Sequence, residues 1–236
     1  MSSHTPLSEN DFLWGVSSSG YQHEGGYNNL GEPLNNWAQW EKTRHVAPSG
    51  RSVDFWKLYR EDFKLAKSMG VNSFRLGIEW SRVQPTLDIR SRKIPPYNVD
   101  ALNHYAEILQ AAREEGVEPL VTLHHFTHPN WLGPDPWLKE ENVELLTSHC
   151  VETVEWMNRH LVGCGQEPLR WLITINEANI LVLNQYILGI FPGSFRRGPL
   201  FAQHALVNLY TAHVRIYTSI KNSTATTAGA MCRFDQ

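Results

Sequence analysis

Apolar and polar positions follow two alternating periods along the chain. Short apolar runs predict strands, and segments with apolar residues every three to four positions predict helices between them. The first strand is expected at Phe12 to Ser18. A long polar connection from Tyr21 to Ser52 follows, holding Gly25, Gly26, Gly31 and Pro33, and reads as too irregular for a regular element. Asp54 is expected to cap a helix to Met69, with Phe55, Leu58, Tyr59, Phe63 and Ala66 at helical spacing and Gly70 as its stop. Strands are then expected at Val71 to Ile78, Val117 to His125 and Leu169 to Ile175, and a last one at Ala228 to Phe234. The near-continuous apolar run of the third matches a strand buried on both faces. Helices after Asn98 (to Gly116), over Glu141 to Leu161 and over Phe201 to Lys221 fill the intervals.

Strand and helix alternating throughout is the pattern of an α/β protein with a parallel sheet. Five strands and four crossover helices fit either an open sheet or part of a (β/α)8 TIM barrel, and the spacing decides. A complete eightfold barrel takes about 250 residues. Here eight units at the observed pace need roughly twice the span from Phe12 to Leu169. The expectation is one domain over residues 1–236, the N-terminal part of a barrel.

Composition narrows the partners. The 236 residues are 42% hydrophobic and 19% charged with a formal net charge of −3, which gives no electrostatic reason for nucleic acid or an anionic membrane and favours an uncharged substrate. No stretch approaches the ~18 apolar residues of a membrane span, and Met1 to Asn10 lacks the basic and apolar regions of a signal peptide, so the reading is cytoplasmic. Cys150, Cys164 and Cys232 show no metal or disulfide spacing and read as free thiols. The chain holds nine tryptophans and eleven histidines, many of them near expected strand ends, which suits stacking on sugar rings and also suits ordinary packing.

In barrels the reactive groups come from the carboxyl ends of the strands. Those ends carry Gln22, His23 and Glu24, then Glu79 and Trp80 after a strand that holds Arg75, then His124, His125 and Phe126, then Asn176 and Glu177. Glycosidic cleavage needs an acid to protonate the departing alkoxide and a hydrogen-bonding group at the sugar 2-hydroxyl, which tightens as oxocarbenium character develops. Glu177 suits the first task and Asn176 the second.

Phe12-Leu13-Trp14-Gly15-Val16, Tyr21-Gln22-His23-Glu24-Gly25, Phe74-Arg75-Leu76-Gly77-Ile78-Glu79-Trp80-Ser81-Arg82, Val121-Thr122-Leu123-His124-His125-Phe126 and Ile173-Thr174-Ile175-Asn176-Glu177-Ala178-Asn179 resemble, in order, the motifs of glycoside hydrolase family 1, the β-glucosidase and β-galactosidase family. Any one of these motifs is weak evidence; five in register are strong. The resemblance implies a retaining β-glycosidase that needs no cofactor or metal. It implies Glu177 as acid/base and Arg75 as the cation that keeps the nucleophile ionised. Gln22, His125 and Asn176 become contacts to the sugar, and Phe126 part of the substrate wall. A retaining pair of carboxyl groups stands ~5 to 5.5 Å apart.

Three departures stand out. Ala178 replaces the family's usual proline after the acid/base. Phe126-Thr127-His128-Pro129 replaces Trp-Asp-Leu-Pro, which alters subsite shape. The nucleophile motif Thr-Glu-Asn-Gly is nowhere in the sequence. If the anion opposite Arg75 is missing, water or another acid must answer its charge.

Each candidate has a plainer reading. Glu177 can be a structural carboxylate, and Gln22 and Asn176 can cap loops. His125 can be a core histidine, and His124 and His128 read as packing or solvent residues rather than ligands. Glu24 and Glu79 are weak stand-ins for a nucleophile, and Glu79 reads better as a salt bridge to a neighbouring arginine. Three functions compete: half of a β-glycosidase, a non-catalytic half barrel that binds sugar or a partner, and a fragment of poor solubility. A partial barrel leaves sheet edges uncovered, so a dimer or a complementary half-barrel chain is expected.

Overall fold

The computed structural model describes residues 12–27, 29–43, 46–86, 90–194 and 198–223, and the backbone of 231 and 232. Five parallel strands form one sheet: β1 (Gly15–Ser17), β2 (Ser73–Gly77), β3 (Glu118–Thr122), β4 (Trp171–Ile173) and β5 (Met231–Cys232). Their order in the sheet is their order in the chain. The register pairs Ser17 with Arg75, Arg75 with Leu120, and Leu120 with Trp171.

A doubly wound sheet reverses its order at a switch point. This one does not, so it is an arc of a barrel. The long helices α3 (Phe55–Ser68), α5 (Val99–Glu114), α6 (Glu141–Gly163) and α8 (Pro199–Asn222) pack each on the next in the same sequence. Four short helices sit in the loops: α1 (Gly20–His23), α2 (Asn36–Lys42), α4 (Trp80–Val83) and α7 (Ala178–Val182).

The two faces of the sheet are unlike. Phe74, Leu76, Val121 and Leu172 are buried beneath the helices, and Phe74 stacks on Phe55 with ring centres 5.7 Å apart. The alternate positions Arg75, Leu120, Trp171 and Ile173 point the other way and are only half-buried. The third strand, expected to be buried on both faces, is buried at four of its five residues, and Leu120 alone is half-buried on the barrel side.

Strand and helix placement otherwise follows the apolar pattern, with shorter strands than the runs that predict them. Gly70 and Gly116 end α3 and α5 with φ of +78° and +79°, a region that costs a side chain dearly. Two local expectations fail. Asp54 precedes α3 with φ +55° and makes no side-chain cap; its carboxylate takes Arg51 and Lys57 instead. The connection from Tyr21 to Ser52 is not irregular throughout, because α2 forms where the Asn35 side chain accepts from the Ala38 amide at 2.7 Å. Seven residues are too few to show a period. Most of the expected strand from Ala228 to Phe234 lies outside the described residues.

The loop from β1 to α3 is held down by a buried ion pair. Arg82 of α4 donates from Nε to Glu24 at 2.7 Å, donates to the Gly25 carbonyl, and lies over the Trp56 ring at 4.0 Å. Tyr105 of α5 donates to the other oxygen of Glu24 at 2.9 Å. Sequence reasoning gave an arginine partner to Glu79; the arginine pairs with Glu24. Removing one member of a buried pair leaves the other uncompensated, at about 3 to 5 kcal/mol. Arg82→Met is therefore expected to lower the urea-unfolding free energy by that amount. Arg215→Ala, which breaks the exposed pair to Glu144, is expected to change it by less than about 1 kcal/mol. Equal effects would contradict this account of the loop.

Candidate active site

The carboxyl ends of β1 to β4 bring the candidate residues to one end of the sheet, and Arg75 links them. Its backbone oxygen accepts from the Ser18 amide and hydroxyl, both at 2.9 Å. Its Nε donates to Thr122 Oγ1 on β3 at 2.8 Å, and its terminal nitrogen donates to Oδ1 of Asn176 after β4. Thr122 and Asn176, both neutral, are thus among the acceptors that meet the charge of Arg75, which was expected to need water or another acid. Asn176 is buried, and its amide donates to the His124 carbonyl at 2.9 Å.

Glu177 follows at once. It is exposed and sits with φ +40° and ψ 58° at the head of α7. Phe126, after β3, also has a positive φ, +69°. Left-handed backbone at a non-glycine residue costs of order 1 to 3 kcal/mol and gathers where function imposes it. Ala178, in the position after Glu177, is buried.

Beside this group lies a cavity of about 480 Å³ whose walls include Gln22, Trp37, Glu41, His125, Phe126 and Phe191. Three candidates therefore share the cavity, namely Gln22, His125 and Phe126, whereas Arg75, Asn176 and Glu177 are not among its lining residues. Gln22 is exposed and accepts from Ser19 Oγ at 2.7 Å. The Phe126 ring packs against His125 at 5.0 Å and Phe191 at 5.3 Å.

Burial keeps the local histidines neutral. It lowers His125 to about 4, helped by the charge of Arg75. Burial also lowers His124 and His149 to about 3 and His128 to about 4. His124 and His128 pack by their edges against Trp137 at 5.0 and 5.9 Å, which supports the packing reading. Glu79 is pushed up to about 7 by burial and by Glu24. It accepts from the Thr127 hydroxyl at 2.7 Å and the Asn35 amide at 3.5 Å.

Among the described residues, no group of three or more His, Cys, Asp or Glu side chains could hold a metal ion. No helix there is long and apolar enough to cross a membrane. Cys150 and Cys164 are free thiols.

Comparison with known proteins decides the family. The family model "Glycosyl hydrolase family 1" matches residues 5–233. The chain belongs to glycosyl hydrolase family 1. It is 30% identical over 213 residues to the 6-phospho-beta-galactosidase of Clostridium acetobutylicum, a match covering 90% of this chain and 42% of that protein. It is 27% identical over 221 residues to Beta-glucosidase 3 of Arabidopsis thaliana, covering 87% and 41%. The solved structure of the beta-glycosidase from Pyrococcus horikoshii superposes with a TM-score of 0.73 at 32% identity over 88% of this chain and 44% of that one. The chain thus spans less than half the length of these relatives, and its fold is the matching part of a TIM barrel.

Sequence reading did not single out Trp37, Glu41 or Phe191 as wall residues. The pair Trp37 and Trp40 in a polar connection is the available signal, hidden because the segment reads as too irregular for a regular element.

The neutral histidines set the acid stability of this site. Each is depressed below the ordinary 6.5, so below that pH the unfolded chain binds protons that the folded one refuses, and stability falls as pH falls. Glu79 works in the opposite direction, since its raised value favours the folded state at low pH. Four histidines against one carboxylate give a net loss of up to about 1.4 kcal/mol per pH unit for each unopposed group. Urea unfolding from pH 7.5 to 5 is expected to show stability falling below about 6.5; a flat or rising profile would count against the buried neutral histidines.

Proposed function

We propose that this chain supplies the proton-donor half of a retaining β-glycosidase acting on neutral β-linked glycosides. Glu177 is the acid/base. Arg75 is the cation beside the nucleophile, and Asn176 contacts the 2-hydroxyl. Gln22, His125 and Phe126 hold the sugar. The observation that carries this reading is the hydrogen bond from Arg75 to Asn176 Oδ1. It ties the guanidinium of β2 to the residue that precedes Glu177, in a chain of this family.

The chemistry follows from those contacts. With Oδ1 of Asn176 occupied by Arg75, its Nδ2–H groups remain as donors for a sugar hydroxyl, a bond that strengthens as charge builds at the anomeric carbon. A neutral His125 has one ring nitrogen to donate and one to accept, which suits a hydroxyl and not an anion. Glu177, exposed at the mouth, reaches the departing oxygen from solvent side and gives it a proton; after departure it takes one from water. Arg75 then favours ionisation of the attacking carboxylate.

That carboxylate is not encoded in this sequence, so on this proposal it comes from further residues of the polypeptide or from a second chain. Val207, Tyr210, Val214 and Tyr217 form an exposed apolar stripe on α8, which favours a partner surface there. The second reading, a half barrel that binds sugar without cleaving it, rests on the same stripe and cavity.

Mixing the chain with a C-terminal half of a family member that carries the nucleophile tests the proposal. Hydrolysis of an aryl β-glucoside is expected in the mixture and not in either half. Glu177→Gln is expected to reduce kcat/KM by about 10² to 10⁴ for a poor leaving group, and much less for one that departs without a proton. No turnover in the mixture, or turnover indifferent to Glu177→Gln, would remove the catalytic reading.

A further inference from the structure

A buried carboxyl group lies behind the wall of the sugar cavity and has no part in the chemistry set out above. Glu79, after β2, is 3% exposed, and its two oxygens reach two different loops. Oε1 accepts from the hydroxyl of Thr127, which follows β3 and lines the cavity, at 2.7 Å. Oε2 accepts from the side-chain amide of Asn35 at a longer 3.5 Å. Oδ1 of the same Asn35 caps α2, the helix that carries Trp37 into the cavity wall. The two loops are also joined to each other, since Asn36 donates to the Phe126 carbonyl at 3.2 Å and accepts from the His128 amide at 2.9 Å. Trp37 and Phe126 both pack against Phe191, with ring centres at 5.0 and 5.3 Å. Glu79 thereby ties both halves of that wall to the end of β2.

Both contacts call for the anion. Thr127 and Asn35 each donate, and a carboxylate accepts at either oxygen, whereas the acid form turns one oxygen into a donor. The group is nonetheless poised close to losing its charge. Burial and the neighbouring Glu24 raise its pKa to about 7, against the pull of Thr127, Arg82 and Asn35. The two carboxyl groups flank Gly20, where a Cβ would stand 2.5 Å from Glu79 Cγ and 3.1 Å from Glu24 Oε1. Among the described residues, the charged and titratable groups facing Glu79 are Glu24 after α1, Arg82 of α4, Tyr105 of α5, and Tyr21 and Tyr27 of the β1 loop. The Tyr105 hydroxyl accepts from the Glu79 amide at 3.0 Å. Arg82 is bonded to Glu24, and burial raises all three tyrosines, so neither the arginine nor the tyrosines change charge near neutrality. Burial holds His125, in the cavity, at about 4, so it stays neutral there too.

We propose that Glu79 is a positioning residue for sugar binding: its carboxylate holds Thr127 and Asn35 in the places that give the cavity wall its shape, and its acid form lets one of them go. This rests on the reading of the cavity as the sugar site, and it deepens that reading by adding a residue behind the wall that never touches the sugar. Sugar bound against the set wall favours the carboxylate. By linkage, binding then displaces a proton from Glu79 to solvent, and affinity falls as the pH drops through the range in which Glu79 titrates.

The test is calorimetric binding of methyl β-D-glucoside to the whole chain from about pH 6 to about pH 8.5, on either side of the Glu79 pKa. The parent Kd is expected to rise about fivefold as the pH falls, as the loss of one hydrogen bond would give, with a midpoint near 7. Glu79→Gln cannot accept from both partners and does not titrate, so it is expected to show the weaker, acid-side Kd at every pH. Thr127→Val removes a donor that favours the anion. It is expected to move the midpoint up by about one pH unit, which a merely structural change would not do. It also decides the matter should Glu79→Gln fail to fold. A constant parent Kd, a step that survives in Glu79→Gln, or an unmoved midpoint in Thr127→Val overturns the inference and leaves the sugar site standing. A folded parent that binds no glucoside even at the alkaline end overturns both.

Discussion

Arg75 is the constraint on which the rest of this structure turns. A guanidinium cannot shed its proton, so inside a sheet it must find acceptors. Arg75 finds them on both sides: Thr122 on β3 and Asn176 beyond β4, while its own carbonyl holds Ser18 after β1. One residue thereby fixes the relative height of four strands and the orientation of the amide next to Glu177. These two acceptors are neutral dipoles. The charge of Arg75 can still favour an anion placed opposite it.

The sheet that carries Arg75 is closed on one face and half-covered on the other. Helices bury Phe74, Leu76, Val121 and Leu172, while Leu120, Trp171 and Ile173 stand half-exposed on the barrel side. Apolar positions on that side, and the stripe along α8, are surfaces that a further set of strands and helices would cover. The buried Glu24–Arg82 pair, with Tyr105 and Trp56, fastens the longest of the loops at the carboxyl ends to α4 and α5. The carbonyl of Phe126 accepts from Asn36 at 3.2 Å, which fastens the loop after β3 to α2. The cavity between these loops is consequently formed from local contacts within this chain.

Much of this was legible in the sequence because barrel strands and amphipathic helices repeat their signals. Phe74 and Leu76 mark one face of β2, and Leu102, Tyr105, Ala106 and Leu109 mark α5. Family motifs located Gln22, His125, Asn176 and Glu177 after strand ends and Arg75 within a strand, and the fold places them there. What the sequence hid had specific causes. Short helices such as α2 and α7 have no room for a period. Asp54 looked like a cap, but a left-handed backbone turns its carboxylate toward Arg51. Glu79 seemed suited to an arginine because Arg82 is near in sequence, yet the guanidinium faces Glu24 across the loop.

The account reduces to one spatial claim: the carboxyl ends of β1 to β4, and not any other part of the molecule, gather a sugar. Backbone amide NMR during titration with methyl β-D-glucoside tests it most directly. The result in agreement is a set of shifts concentrated at Gln22, Trp37, His125, Asn176 and Glu177. Shifts confined to the opposite end of the sheet, near the turns at Gly70 and Gly116, would contradict it.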